Sequence, residues 1–278
     1  MKFDVVVGNP PFNYNYIGCG GARPWIQITM NAVNSLKLDG YLCFVIPSTY
    51  RGDDHEILQL FRMYNLLYIQ TELPSFPGIN VMIDYVIMQK AEYDGITNIC
   101  CEFIDIRDWP FIPTRSFDKI RPLLTANNTN TDTQCSRSRS AYGIYQGYIY
   151  ETRKTFISKD KTTIYKYPVI YYIKKDSIKL LWSSVCDRGH YGIPKVIISF
   201  NSGESLIDME GEYAVSQWNI FLPVASKDEA RDIKRCLDSP EFRQVWKDMS
   251  WYKVYYPWTV FKYFKRDFWK YFIDGDMK

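Results

Sequence analysis

Four consecutive residues, Asn9-Pro10-Pro11-Phe12, bring two uncharged hydrogen-bond acceptors beside a flat apolar ring. The Asn9 amide oxygen is one acceptor. The Pro10 carbonyl is the other, aimed by a backbone of fixed φ. Two acceptors converging on one point suit an amino group with two hydrogens, and Phe12 suits the face of an aromatic base. An amine conjugated into a purine is a poor nucleophile. Accepting hydrogen bonds from both of its hydrogens returns electron density to the nitrogen, which prepares a group such as adenine N6 to attack a methyl donor. With no partner at hand, the same four residues would be a proline-stiffened turn.

The elements that must position this loop are legible around it. Phe3 to Val7 is a short β-branched apolar run, expected to be a buried strand of a parallel sheet. Two prolines cannot continue the ladder, so the strand ends at Gly8 and the loop stands at its carboxyl end. In open α/β sheets ligands bind at that edge. Residues 13–24, rich in Asn, Tyr and Gly, read either as a surface loop or as a lid. Apolar spacing predicts a helix over Trp25–Leu38, stopped by Asp39-Gly40. A second buried strand follows at Tyr41–Pro47, with Ser48-Thr49-Tyr50 at its carboxyl end. Asp54–Tyr64 reads as a helix, and Leu67–Glu72 and Val81–Gln89 as strands. The connection from Leu73 to Asn80 is too short for a parallel crossover, so these last two strands are expected to pair antiparallel.

Asn-Pro-Pro-aromatic after an apolar strand resembles the catalytic motif of S-adenosyl-L-methionine (SAM)-dependent DNA adenine-N6 methyltransferases, most of all the gamma class of restriction–modification systems. The resemblance covers residues 3–90 and, loosely, 141–270. It implies an α/β fold: the second half of a Rossmann-like methyltransferase sheet ending in an antiparallel hairpin, then a mixed α+β target-recognition domain. It implies that Asn9, Pro10, Pro11 and Phe12 are catalytic, that Pro47 and Ser48 border the adenine, and that Phe76 contacts the flipped base. The implied cofactor is SAM. The family's Phe-x-Gly-x-Gly cofactor loop is not found here, because Phe200-Asn201-Ser202-Gly203 and Asp274-Gly275-Asp276 lack its glycine spacing. Three explanations stay open: a split enzyme whose second chain brings the SAM half, a truncated product, or a non-catalytic DNA-binding or specificity protein. A methyltransferase acting on RNA or on a protein glutamine is a further alternative.

Composition bounds the rest. The chain has 278 residues, 46% apolar and 17% aromatic, with 23 Tyr, enough for one large or two modest domains. A net charge of +3 implies no global polyanion field, so a DNA-binding face needs local clustering. Seven cysteines without a Cys-x-x-Cys pair, and two histidines, point away from a zinc site and toward a reducing cytoplasm. No run is long enough for a membrane helix. Residues 125–140, rich in Asn, Thr and Ser, are the expected linker between a catalytic half-domain over 1–124 and a recognition domain over 141–278. Ser116–Leu124 reads as a short basic helix, and Ile99–Pro113 as a strand and exit loop. In 141–222 tyrosines alternate with basic residues, which predicts short strands. Arg137, Arg139, Arg153, Lys154 and Lys195 are the expected contacts to duplex DNA. Glu229–Leu237 and Glu241–Met249 read as helices broken at Ser239-Pro240. The aromatic tail reads as core more readily than as a nucleic-acid surface.

Overall fold

Valines at positions 5, 6 and 7 favour extended backbone, and Phe3–Gly8 forms the first strand, β1. The structure, a computed structural model, describes residues 1–12, 23–52, 55–71, 73, 82–125, 145–146, 148–252 and 256–273. It divides into two compact units: Met1–Ser116 with Asp248–Lys253, and Phe117–Lys247 with Val254–Lys278. The division thus falls at Ser116/Phe117, earlier in the chain than the expected boundary, and a short return segment joins the first unit. The expected linker lies almost wholly outside the described residues.

In the first unit α1 (Pro24–Ser35) leads directly into β2 (Leu36–Pro47), followed by α2 (Glu56–Arg62), β3 (Asn65–Gln70), β4 (Ile83–Gln89), β5 (Thr97–Ile99) and β6 (Glu102–Ile104). The expected helix to Leu38 is overturned: the chain turns extended at Leu36 (φ −74°, ψ 144°). Asp39-Gly40 is not a helix stop but an irregularity inside β2. Asp39 has φ 62° there. A Cβ on Gly40 would stand 2.9 Å from the Asp4 carbonyl oxygen, so the close approach of β1 requires glycine.

The six strands form one mixed sheet in the order β1-β2-β4-β3-β5-β6. β1 is parallel to β2, and β3 is parallel to β5. β4 is antiparallel to both β2 and β3. The expected antiparallel pair is therefore present, but it does not end the sheet; β5 and β6 extend it. Leu42, Phe44 and Ile46 of β2 and Val86 and Met88 of β4 are buried on one face. The buried helix residues Trp25, Val33, Ile57, Leu58 and Phe61 belong to α1 and α2, which contact β2 and β3. Register places Val5, Val7, Tyr41, Cys43, Val45, Tyr85, Ile87 and Tyr68 on the other face. All eight are exposed or half-buried. The reading of β1 as a buried strand is overturned: Val5 is 52% and Val7 74% exposed. β1 has one neighbour, and among the described residues nothing covers it on that face.

The second unit opens with the short helix α3 (Phe117–Ile120). Two four-stranded sheets follow. One is ordered β13 (Ala214–Val215), β9 (Tyr167–Lys174), β10 (Ser177–Ser183), β8 (Ile157–Ser158); the other is ordered β12 (Ser205–Asp208), β11 (Lys195–Ser199), β14 (Asn219–Pro223), β7 (Tyr145–Gln146). Ile170, Ile173 and Val215 from the first meet Ile197 and Phe221 from the second in a shared core. The run Tyr213–Phe221 holds β13 and the start of β14, two short strands in different sheets. Then come α4 (Lys227–Asp238), capped by Ser226 accepting from the Glu229 amide, and α5 (Pro240–Asp248). Phe242 and Trp246 of α5 pack with Phe261 and Phe268 of the tail, all fully buried. The tail is core.

Candidate active site

Strand directions decide which loops meet. β1 and β2 are parallel, with Gly8 opposite Phe44, so Asn9-Pro10-Pro11-Phe12 leaves at the edge where β2 ends in Pro47 and Ser48. β4 runs the other way and begins there, with Ile83 opposite Pro47. β3 and β5 end at the same edge, where Thr71 and Cys100 meet: the Thr71 hydroxyl is 3.0 Å from Cys100 Sγ. The edge therefore gathers the loop after β1, the loop after β2, the end of β3 and the start of β4.

Within the first loop Asn9 and Pro11 are exposed, Pro10 is buried and Phe12 is half-buried. Gly8 is held tight: a Cβ there would lie 3.0 Å from the Phe44 ring. Burial of Pro10 fixes the loop's base, and Asn9 stays accessible to a ligand. Exposure leaves the Asn9 amide open to a ligand, with the half-buried Phe12 three residues on.

Behind it lies a buried polar network that the sequence reading missed. Pro47 is buried, and Ser48 is 0% exposed with its hydroxyl donating to Asp84 Oδ1 at 2.7 Å. Ser48 thus spends its side chain inside the protein, where it holds the loop rather than facing a ligand. Arg51 Nε lies 3.0 Å from Asp84 Oδ2, both side chains fully buried. Arg51 Nη1 donates to Thr114 Oγ1 at 3.0 Å, and Thr114 donates to the Ser250 carbonyl at 2.7 Å. Arg51 Nη2 is buried without a hydrogen-bond partner. Tyr50, also fully buried, packs edge-on against Phe61 at 5.5 Å. Burial and then the Asp84 charge push its phenol well above its ordinary pKa, so it stays neutral. A lone acid in the apolar run of β4 was the available signal, because a buried carboxylate demands a partner.

His55 caps α2, its Nδ1 accepting from the Ile57 amide at 3.2 Å, and stacks on Trp25 at 5.2 Å. Burial, with the Arg23 charge second, lowers its pKa to about 4, so it is neutral near pH 7.

The remaining expected site residues separate. Phe76, Arg137 and Arg139 lie outside the described residues. Arg153 and Lys154 are exposed, and Arg153 pairs with Glu151. Lys195 is a correction. It is 0% exposed, its Nζ 2.9 Å from Asp208 Oδ2 and bonded to the His190 and Ile193 carbonyls, so it cannot reach a phosphate. Its neighbour His190 is fully buried; burial, then the Lys195 charge, lowers its pKa to about 3. Among the described residues no group of three or more His, Cys, Asp or Glu could hold a metal ion. Among them, too, no helix is long and apolar enough to cross a membrane.

No family model and no curated protein matches the chain. Solved structures similar to it include a modification subunit of a type I restriction enzyme from Vibrio vulnificus YJ016, at 17% identity over 34% of this chain and 24% of that one, TM-score 0.29. The M protein of the type I enzyme EcoKI aligns at 19% identity over 32% of this chain and 21% of its own, TM-score 0.27. The type IIL restriction–modification enzyme MmeI, solved in complex with DNA, aligns over 92% of this chain and 45% of its own, at 9% identity and TM-score 0.46. The chain spans about a fifth to a quarter of the type I subunits it aligns with. At these identities and TM-scores the likeness does not define a family. What it matches in kind is methyltransferase modification subunits and enzymes of restriction–modification systems.

Proposed function

We propose that this chain holds the target adenine of duplex DNA for N6-methylation from SAM. The observation that supports the reading is the position of Asn9-Pro10-Pro11-Phe12, at the sheet edge where β1, β2 and β3 end and with Asn9 exposed. Asn9 Oδ1 and the Pro10 carbonyl accept from the two N6 hydrogens. Both acceptors gain strength as the nitrogen becomes positive during attack. Phe12 stacks on the extruded ring, offsetting an extrusion cost of a few kcal/mol.

The described residues do not fit SAM itself. The glycines that follow β1, Gly18, Gly20 and Gly21, do not complete a Phe-x-Gly-x-Gly motif and lie outside the described residues. Among the described residues no acidic side chain stands free at the carboxyl end of β1 to take a ribose. The exposed Val5 and Val7 and the unpaired edge of β1 suit a further α/β layer there. The reading is therefore of a base-holding half, completed by a SAM-binding half on another polypeptide segment.

Interactions made in the transition state appear in the rate and not in ground-state affinity. Asn9→Ala is expected to lower tritiated-methyl incorporation into DNA by about 10²–10³ while gel-shift affinity is unchanged. The assay uses extract from cells that express the chain in its native genomic setting, so that any second half is present. Methylation by Asn9→Ala at the parental rate would refute the reading.

A further inference from the structure

Residues 151–191 carry nine Lys and Arg against four Asp and Glu, in a chain whose whole net charge is +3. The rest of the protein is thus slightly acidic, and the positive field belongs to the β8–β10 region of the second unit. Five of its cations share an arrangement. Lys161 Nζ sits 4.7 Å from the Trp182 ring centre, Lys166 5.2 Å from Tyr167, and the Arg188 guanidinium 4.4 Å from Phe156. Lys174 lies 5.2 Å from Tyr172, and Lys179 5.7 Å from Tyr171 and 5.9 Å from Tyr172. All five are exposed, and none has a carboxylate partner among the described residues.

A surface lysine that serves only solubility is commonly interspersed with acids. Here aromatic faces seat the charges instead, which holds them in place without neutralising them. The register brings two of these groups together: Ser183 pairs with Tyr167 and Lys179 with Tyr172, an even spacing along β10 that puts the Lys166 and Lys179 groups on one face, about 13 Å apart at ~3.3 Å per residue. We propose that these cations, Lys161, Lys166, Lys174, Lys179 and Arg188, grip the phosphate backbone of duplex DNA. The choice of duplex DNA rests on the proposed function above; the phosphate-gripping array rests on the geometry of β8–β10. The contact is to phosphates, so it positions the duplex and carries no base preference.

The test uses the full chain and a random-sequence duplex, with dissociation constants measured over a range of salt. The fourfold variant Lys161→Gln, Lys166→Gln, Lys174→Gln, Lys179→Gln is expected to weaken binding alike on unrelated sequences. The slope of log Kd against log salt should fall by about one for each phosphate that is no longer gripped. The double variant Lys227→Gln, Lys247→Gln removes exposed charge from α4 and α5 and is expected to leave the slope within half a unit of the parent. The substituted side chains are exposed, so circular dichroism should be unchanged. A fourfold variant with the parental slope overturns the proposal, as does a parent that binds no duplex. So does equal weakening by the control variant, or competition by polyglutamate as effective as by DNA. If the parent binds duplex through another surface, this proposal falls and the adenine reading survives. If the array binds as proposed and Asn9→Ala methylates normally, the reverse holds.

Discussion

Asp84→Asn is the sharpest probe of how the candidate site is held. The side chain keeps its shape, and one oxygen can still accept from Ser48, but the charge opposite Arg51 is gone. Arg51 cannot lose its proton, and its side chain is fully buried. The substitution therefore leaves an uncompensated guanidinium, with Nη2 already unpartnered. Breaking such a pair costs about 3–5 kcal/mol, a large share of a stability of ~5–15 kcal/mol. Replacing both residues, as Arg51→Met with Asp84→Leu, removes the buried charges together. That double variant should lose less than Asp84→Asn alone, with a coupling energy of roughly 2 kcal/mol or more. Hydrogen exchange read by mass spectrometry on β2 and β4 peptides measures the loss in the first unit alone. Protection falling by less than about 1 kcal/mol in Asp84→Asn, or a double variant as unstable as the two singles added, would refute the account.

The other predictions are quicker to state. His190 is neutral in the folded protein, its pKa about 3 against ~6.5 unfolded. Between those values the unfolded chain binds a proton that the folded one does not. Stability is thus full above pH ~6.5 and falls as pH drops, by up to ~1.4 kcal/mol per unit. His190→Gln should remove one proton's worth of that slope in urea titrations at pH 4–7, and an unchanged slope would count against the burial argument. Cys100 and Cys101, at φ 49° and 74°, form the two-residue turn joining β5 to β6. Cys101→Gly relieves the left-handed strain and should stabilise by about 0.5–1 kcal/mol; a lower urea midpoint would contradict it. Phe12→Trp should keep most methyl transfer in the assay used for Asn9→Ala, because a flat ring remains, whereas Phe12→Ala loses stacking worth about 1–3 kcal/mol.

Local pattern carried much of this fold. The apolar runs of β2, β3 and β4 and the break at Ser239-Pro240 were legible, as was the antiparallel pairing of β3 with β4. What local pattern could not carry were features decided by distant partners. Leu36 to Leu38 continues the helical spacing before it, yet β1 and the chain just after β4 capture Leu36–Gly40 as strand. The insertion of β4 between β2 and β3 is a choice among pairings that no single segment encodes. Lys195 looked like a surface base beside Pro194. It opens a strand in which every residue is buried, and its partner Asp208 lies on the neighbouring strand. The loop Asn9 to Phe12 was legible because its chemistry is contiguous. Arg51, Asp84 and Thr114 were not, because the chain brings them together only by folding.

The bare edge of β1 makes concentration a structural variable. A strand with one hydrogen-bonded neighbour among the described residues, and valines 52% and 74% exposed, exchanges its amides early when dilute. Crowded, it offers a template to any extended chain, its own copies included. Thermal midpoints, light scattering and yield should therefore drift with protein concentration. A Lys at position 5 or 7 would suppress that drift while leaving the dilute fold intact.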